Sequence, residues 1–359
     1  MRALRLLLTP LAAALTLSIA LSSGAMAGRQ PIALGLTISP EWGTSSAWWN
    51  AELDTLGGRT PSIMSMVFAW NGPHAAAPSQ TSLDVFVYQP TGFPSRQVLD
   101  RIYNRGAMPL LMWQPNLPEG ETLQTILNGR YDRYIQTWAE AAAADGRPMI
   151  LRFAQEMNAG WFPWGATRRG NSPEDFVRVW QKIHDTFRGP GGVGATNVKF
   201  MWSPNVDGPR FASFESVYPG NGYVQYIGLD GYNWYDHYSD TGRWRSMREI
   251  FSDSLDQIVA RWPNKPIVIA EIGSINDHVT DGYDKGRWLQ RGLRWLYENH
   301  PKVVAVVYFN IRVIGMEGGV NWRLDTSGSA TSAWRELSND PRFRGVLDPA
   351  GLAAARTRK

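Results

Sequence analysis

The sequence predicts a single (β/α)8 barrel of the α/β class, and two observations carry that prediction. Eight short apolar or β-branched runs recur at intervals of roughly 30 to 45 residues, and segments of helical period lie between most of them. A doubly wound open sheet is the competing arrangement. Eight alternations favour a parallel sheet closed on itself, with no second domain. The absence of cysteine excludes a disulfide framework, so the fold must rest on its core, and a chain of 359 residues can bury a large one.

In chain order the strand candidates are Ile32–Ile38, Ser62–Ala69, Pro109–Trp113, Pro148–Phe153, Val198–Trp202, Tyr226–Leu229, Pro266–Ala270 and Val303–Phe309. Between the third and fourth, residues 130–144 bring Tyr131, Tyr134, Ile135, Trp138 and Ala142 to one face, and Gly146 supplies the stop. Between the fourth and fifth, Ser172 caps a helix that starts at Pro173 and buries Phe176, Val177, Trp180 and Ile183. Leu255, Ile258 and Val259 mark a helix over 253–262, and Leu289, Leu293 and Leu296 mark another over 286–299. The glycine-rich stretch 189–194 follows a helix and precedes a strand. That is the wrong order for a phosphate cradle, so it is a linking turn.

The ends of the chain differ in character. Met1-Arg2-Ala3-Leu4-Arg5, an apolar segment to about Leu21 and Ala25-Met26-Ala27 form a secretory signal over residues 1–27, with the barrel occupying 28–345. The expectation is an exported protein, secreted or periplasmic, monomeric and without a membrane span in the mature chain. The stretch 346–359 is polar with an alanine run and a basic end, and is expected to fray. A net charge of +4 with no dense Lys/Arg run argues against nucleic acid as a partner. No His-Glu-x-x-His pattern, carboxylate-rich loop or thiolate set calls for a metal, and no motif calls for a cofactor. A Gly-x-Ser-x-Gly elbow is also missing, which argues against an esterase.

In barrels of this kind, chemistry sits at the C-terminal ends of strands. Aromatic or polar residues follow almost every strand candidate: Glu41-Trp42, Trp70, Trp113-Gln114, Trp202-Ser203-Pro204-Asn205, Asp230-Gly231-Tyr232-Asn233-Trp234 and Tyr308-Phe309-Asn310. Two carboxylates stand out. Glu156 follows the fourth strand in Arg152-Phe153-Ala154-Gln155-Glu156-Met157-Asn158, and Glu271 ends the seventh. Two glutamates on opposed strands of a barrel mouth are what glycoside hydrolysis uses, one as acid and one as nucleophile. Phe153, Met157 and Trp161 would wall Glu156 and keep it protonated, while Arg152 would compensate the charge of Glu271. Seventeen tryptophans suit stacking on sugar rings as well as an aromatic core. Trp161 is the first candidate for a sugar platform, with Trp113, Trp164 and Trp322 behind it. Trp138, Trp180, Trp288 and Trp295 sit on helix faces and are expected in the core.

Several segments carry a resemblance. Pro40-Glu41-Trp42-Gly43, the stretch from Arg152 to Asn158, Trp161-Phe162-Pro163-Trp164, Gly228-Leu229-Asp230-Gly231-Tyr232-Asn233-Trp234 and Ala270-Glu271-Ile272-Gly273-Ser274 resemble glycoside hydrolase family 26, the β-mannanase family among retaining (β/α)8 hydrolases. The resemblance implies Glu156 as acid/base, Glu271 as nucleophile and Tyr232 as a hydrogen-bond partner of Glu271, with Asn158 and Gln155 in the substrate site. The chain departs from the family in two places. Gln155 stands where the family has histidine, retaining a donor and an acceptor but no charge, and Ala159 replaces a glycine. The first change bears on which sugar is accepted, because the 2-hydroxyl is axial in mannose and equatorial in glucose. The expected activity is that of a retaining endo-glycosidase on a β-1,4-linked polysaccharide, β-mannan first and β-1,3/1,4-glucan second. An enzyme processing its producer's exopolysaccharide would share the chemistry, and a non-catalytic polysaccharide-binding barrel is the non-enzymatic alternative.

Overall fold

The computed structural model describes residues 28–37, 46–70, 92–235, 243–275, 282–313 and 320–357. The signal segment, Pro40 to Gly43 and the strand-one exit lie outside these residues. From Pro31 onward the chain forms one unit. Its strands are β1 (Ala33–Thr37), β2 (Ile63–Ala69), β3 (Met108–Gln114), β4 (Met149–Phe153), β5 (Val198–Trp202), β6 (Tyr226–Asn233), β7 (Ile267–Ser274) and β8 (Val303–Phe309). They pair in sequence order, all parallel, and β8 returns to β1 through Ala33↔Ala305 to Thr37↔Phe309, which closes the barrel. Nearly every strand residue is buried. Helices cover the outside of a parallel barrel, so its strands are near-continuous apolar runs.

The helices are α1 (Ser46–Leu56), α2 (Arg96–Asn104), α3 (Leu123–Leu127), α4 (Asp132–Asp145), α5 (Pro173–Arg188), α6 (Met247–Arg261), α7 (Lys285–Asn299), α8 (Gly328–Asn339) and α9 (Pro349–Thr357). Ser172 caps α5 by accepting from the Asp175 N–H, and Gly146 ends α4 in the left-handed region at φ 67°. The helix expected from Asp253 begins six residues earlier. Ser246 and Glu249 form a capping box there, and the backbone and Arg243 contacts hold the Glu249 carboxyl down at about 2. A short pair, β9 (Arg312–Val313) and β10 (Val320–Asn321), follows β8.

The expected frayed tail is helical instead. Leu352 and Ala355 of α9 are buried, and Arg356 donates to the Tyr103 carbonyl at the end of α2. The alanine run that suggested fraying is a good helix former once one face has somewhere to pack. No helix among the described residues is long and apolar enough to cross a membrane.

Between the barrel and its helices lies a packed aromatic layer. Trp113 stacks on Trp138 of α4 at 4.7 Å, and Trp70, Tyr134 and Phe153 surround the pair. Trp180, Trp202 and Trp334 are buried too. The tryptophan excess is therefore mostly core. Among the described residues Trp161 is the tryptophan that stands exposed, at 44%.

Candidate active site

The mouth of the barrel is built by two local departures from regular strand geometry. After β4, Ala154 and Glu156 both take left-handed backbone, φ 47° and 55°, which costs non-glycine residues on the order of 1–3 kcal/mol each. Neighbouring strands hold this turn. The Ala154 N–H donates to the Trp113 carbonyl at 3.0 Å, and the Glu156 N–H donates to the Ser203 carbonyl at 2.8 Å. The Trp164 indole closes it by donating to the Gln155 carbonyl at 2.7 Å. On the other side the β6–β7 register slips, so that Leu229 pairs with Ile269 but Asp230 pairs with Glu271. The extra residue, Ala270, makes a bulge that re-aims the side chain after it. Strained turn and bulge together turn Glu156 and Glu271 toward each other.

Glu156, Asp230 and Glu271 converge, with carboxylate oxygens within 4.8 Å of one another. Arg152, fully buried, donates to Glu271 Oε1 at 2.6 Å and to Asp230 Oδ2. The guanidinium thus already serves as the cation for two of the three acids. Burial works against its charge, but Asp230 and Glu271 outweigh that and raise the Arg152 pKa. Asp230 receives a further bond from the Ser203 hydroxyl at 3.1 Å. Burial pushes its carboxyl well above the ordinary range, with Arg152 opposing and the other two carboxylates adding.

The two glutamates have different neighbours. Glu271 is bonded by Arg152 and, at Oε2, by the Tyr232 hydroxyl. Burial and the acidic surroundings raise the Tyr232 phenol well above its usual value, so it stays a donor. Gly273 packs closely against the rings of Tyr232 and Trp322, since a Cβ there would lie 3.0 Å from Trp322 and 3.1 Å from Tyr232. Among the described residues the donors to Glu156 are neutral: Asn205 Nδ2 to Oε1 at 2.5 Å and Trp161 Nε1 to Oε2 at 2.8 Å. Burial first, and the Glu271 charge second, raise its pKa from 4.5 to about 7 against the pull of those two bonds and Arg152.

Several of the expected substrate contacts are placed differently. Trp113 and Trp164 are wholly buried, the first in the aromatic layer and the second stacked on Phe162 at 4.4 Å, so neither offers a face to a sugar. Trp322 is also buried, packed on Tyr232 at 4.7 Å and Trp234 at 4.6 Å. Asn158 faces the protein. Its amide donates to the Asn205 carbonyl and accepts from the Asn205 N–H, both at 2.9 Å, which fixes the residue that bonds Glu156. Arg152 is fully buried and meets the carboxylates of Glu271 and Asp230 rather than solvent. Trp161 remains at the rim, beside Glu156. Gln155 is buried, and its Oε1 has no hydrogen-bond partner among the described residues. Sequence reasoning assigned no role to Asp230, Asn205 or Ser203, although a charged residue inside the apolar sixth strand was a usable signal.

A closed parallel barrel with paired glutamates on its mouth strands, one backed by arginine and tyrosine, defines a glycoside hydrolase of the (β/α)8 class. The glycosyl hydrolase family 26 model matches residues 115–303, and the chain belongs to that family. Endoglucanase H of Acetivibrio thermocellus is 34% identical over 244 residues, covering 67% of this chain and 25% of that protein. Mannan endo-1,4-beta-mannosidase A and B of Caldalkalibacillus mannanilyticus is 22% identical over 293 residues, 74% of this chain and 50% of that one. The chain therefore spans between a quarter and a half of the length of these two relatives. The fold is shared with the YdhT protein of Bacillus subtilis, at TM-score 0.61 and 17% identity over 89% of this chain and 88% of that one.

Proposed function

We propose that the protein is an exported, retaining endo-glycosidase acting on a β-1,4-linked polysaccharide, with β-glucan now ahead of β-mannan. The observation that carries the mechanism is the close approach of Glu156 and Glu271, with one carboxylate oxygen of each within 4.8 Å of the other. Retaining enzymes hold their carboxyls at roughly 5–5.5 Å, whereas inverting ones leave room for a water at about 6.5–9.5 Å. In the first step Glu156 protonates the leaving oxygen while Glu271, aligned by Tyr232 and charge-compensated by Arg152, attacks the anomeric carbon. Esterification of Glu271 then removes the negative charge that helps raise the Glu156 pKa. Glu156 becomes easier to ionise at the moment it must act as base toward water.

One observation favours glucan: the relative at 34% identity is named an endoglucanase. Gln155 offers an uncharged, unpartnered acceptor beside Glu156 that a sugar hydroxyl of either epimer would satisfy. The mannan reading rests on relatives named mannan endo-1,4-beta-mannosidase at 30% and 29% identity over shorter stretches.

The deciding experiment incubates purified protein with mixed-linkage β-glucan, β-mannan and xylan and follows product anomers by NMR. Oligosaccharides released first as β-anomers, and absent with Glu156→Ala and Glu271→Ala, are expected. Inverted products, or alanine variants as active as the parent, overturn the assignment.

A further inference from the structure

The indole that bonds the acid/base is the exposed one, and something must hold it. Trp161 donates to Glu156 Oε2 at 2.8 Å while 44% of its surface faces solvent. Phe211, from the segment between β5 and β6, meets it edge-on at 5.1 Å and 80°. Phe162 contacts the same ring at 6.5 Å and 70°, but is itself engaged in the 4.4 Å stack on Trp164. Phe211 is seated from behind by backbone. A Cβ on Gly208 would lie 2.8 Å from its ring, so only glycine lets the chain come so close. Arg210 takes left-handed backbone at φ 69°, which turns the chain just before the phenylalanine. The segment is pinned at both ends: Val206 N–H to the Asp230 carbonyl at 2.9 Å, Asp207 N–H to Ser254 at 2.8 Å, and Ala212 N–H to the Asn158 carbonyl at 2.7 Å.

We propose that Phe211 is a positioning residue for the acid/base, holding the Trp161 indole so that its N–H meets Glu156. This rests on the reading of Glu156 as the acid. The groups facing Glu156 are Arg152 of β4, Asn205 after β5, Asp230 and Tyr232 of β6, and Glu271 of β7. Trp161 is the donor among its partners that stands on the solvent side. An N–H donated to a carboxylate stabilises the charged form and lowers its pKa. Releasing Trp161 therefore raises the Glu156 pKa, keeps the acid protonated to higher pH, and moves the alkaline limb of kcat/KM upward.

The test compares pH profiles of kcat/KM, on the polysaccharide the parent cleaves, for the parent, Phe211→Ala, Phe211→Leu, Trp161→Phe and the Phe211→Ala/Trp161→Phe double variant. Trp161→Phe keeps an aromatic ring and removes the donor, and its alkaline limb is expected to move up by about half to one pH unit. Phe211→Ala is expected to reproduce that shift, Phe211→Leu to restore most of the parental profile, and the double variant to add nothing further. A Phe211→Ala profile lowered at every pH with an unmoved limb would mean mere loop packing and overturn the proposal. Additive shifts in the double variant would do so as well. If Trp161→Phe itself leaves the limb in place, Glu156 is not the titrating acid, and the failure belongs to the assignment of the site.

Discussion

Replacing Arg152 with methionine is expected to be the most damaging single change near the mouth, with a pH signature that identifies its cause. The side chain is fully buried and is the one cation contacting Asp230 and Glu271 among the described residues. Methionine fills much of the same volume, so the loss is chiefly electrostatic. Breaking a buried pair by removing one partner costs about 3–5 kcal/mol, because a charge is left uncompensated. The protein softens that cost by binding a proton at Asp230, whose pKa already lies well above the ordinary value. A raised folded pKa means that the folded state holds more protons than the unfolded chain, so stability is present at low pH and lost as pH rises. Each extra proton held by the folded state steepens that loss by about 1.4 kcal/mol per pH unit. In urea titrations at pH 7 the variant should fall short of the parent by about 3–5 kcal/mol, and the gap should narrow toward pH 4. Equal midpoints at pH 7, or a gap that stays constant with pH, would show that Arg152 does not compensate these carboxylates. Adding Asp230→Asn to Arg152→Met should recover part of the loss at pH 7 and flatten the pH dependence.

Two other substitutions separate catalysis from stability. Tyr232→Phe keeps the ring against Trp322 and Phe309 but deletes the hydroxyl bonded to Glu271, so kcat should fall roughly 10- to 100-fold with the urea midpoint nearly unchanged. Glu52→Gln concerns the opposite wall, where burial raises the Glu52 pKa to about 7 despite Arg323 and the bond from Asn310. A shift of about 2.5 units penalises the ionised form by about 3 kcal/mol. The variant should accordingly be more stable by about that much at pH 8 and gain nothing near pH 4, as read by urea midpoints at the two pH values.

Strands and their order were legible because helices cover the barrel on every side, which leaves its strands as apolar runs that need no alternation to be found. The positions of Glu156 and Glu271 followed from the ends of those runs. Their approach did not. It depends on the left-handed turn at Ala154 and Glu156 and on the bulge at Ala270, and none of these three positions is a glycine or proline that would announce it. Trp113 was misplaced for a simpler reason. Successive strand residues point to opposite faces, and β3 pairs Met112 with Arg152 and Trp113 with Phe153. Arg152 points into the barrel, so Met112 does too, and Trp113 faces the helices with Phe153. Strand parity would have separated that tryptophan from the cleft, whereas tryptophan content pooled the two environments. Trp164 and Trp322 lie in irregular segments, where no such parity exists.

The proposed division of labour between the two glutamates reduces to a charge count. Among the described residues three carboxylates share the mouth with one guanidinium, and burial makes a second uncompensated negative charge costly. Arg152 bonds Asp230 and Glu271 but leaves Glu156 to the neutral donors Asn205 and Trp161. On the proposed assignment the proton sits on Glu156, in line with its elevated pKa of about 7 and its place at the rim beside Trp161. Exchanging the roles would put the proton on the carboxylate bonded to arginine and the negative charge on the one without a cation. The strand positions are nearly symmetric across the barrel. On the proposed assignment, what would distinguish the acid from the nucleophile is that Arg152 reaches toward β6 and β7.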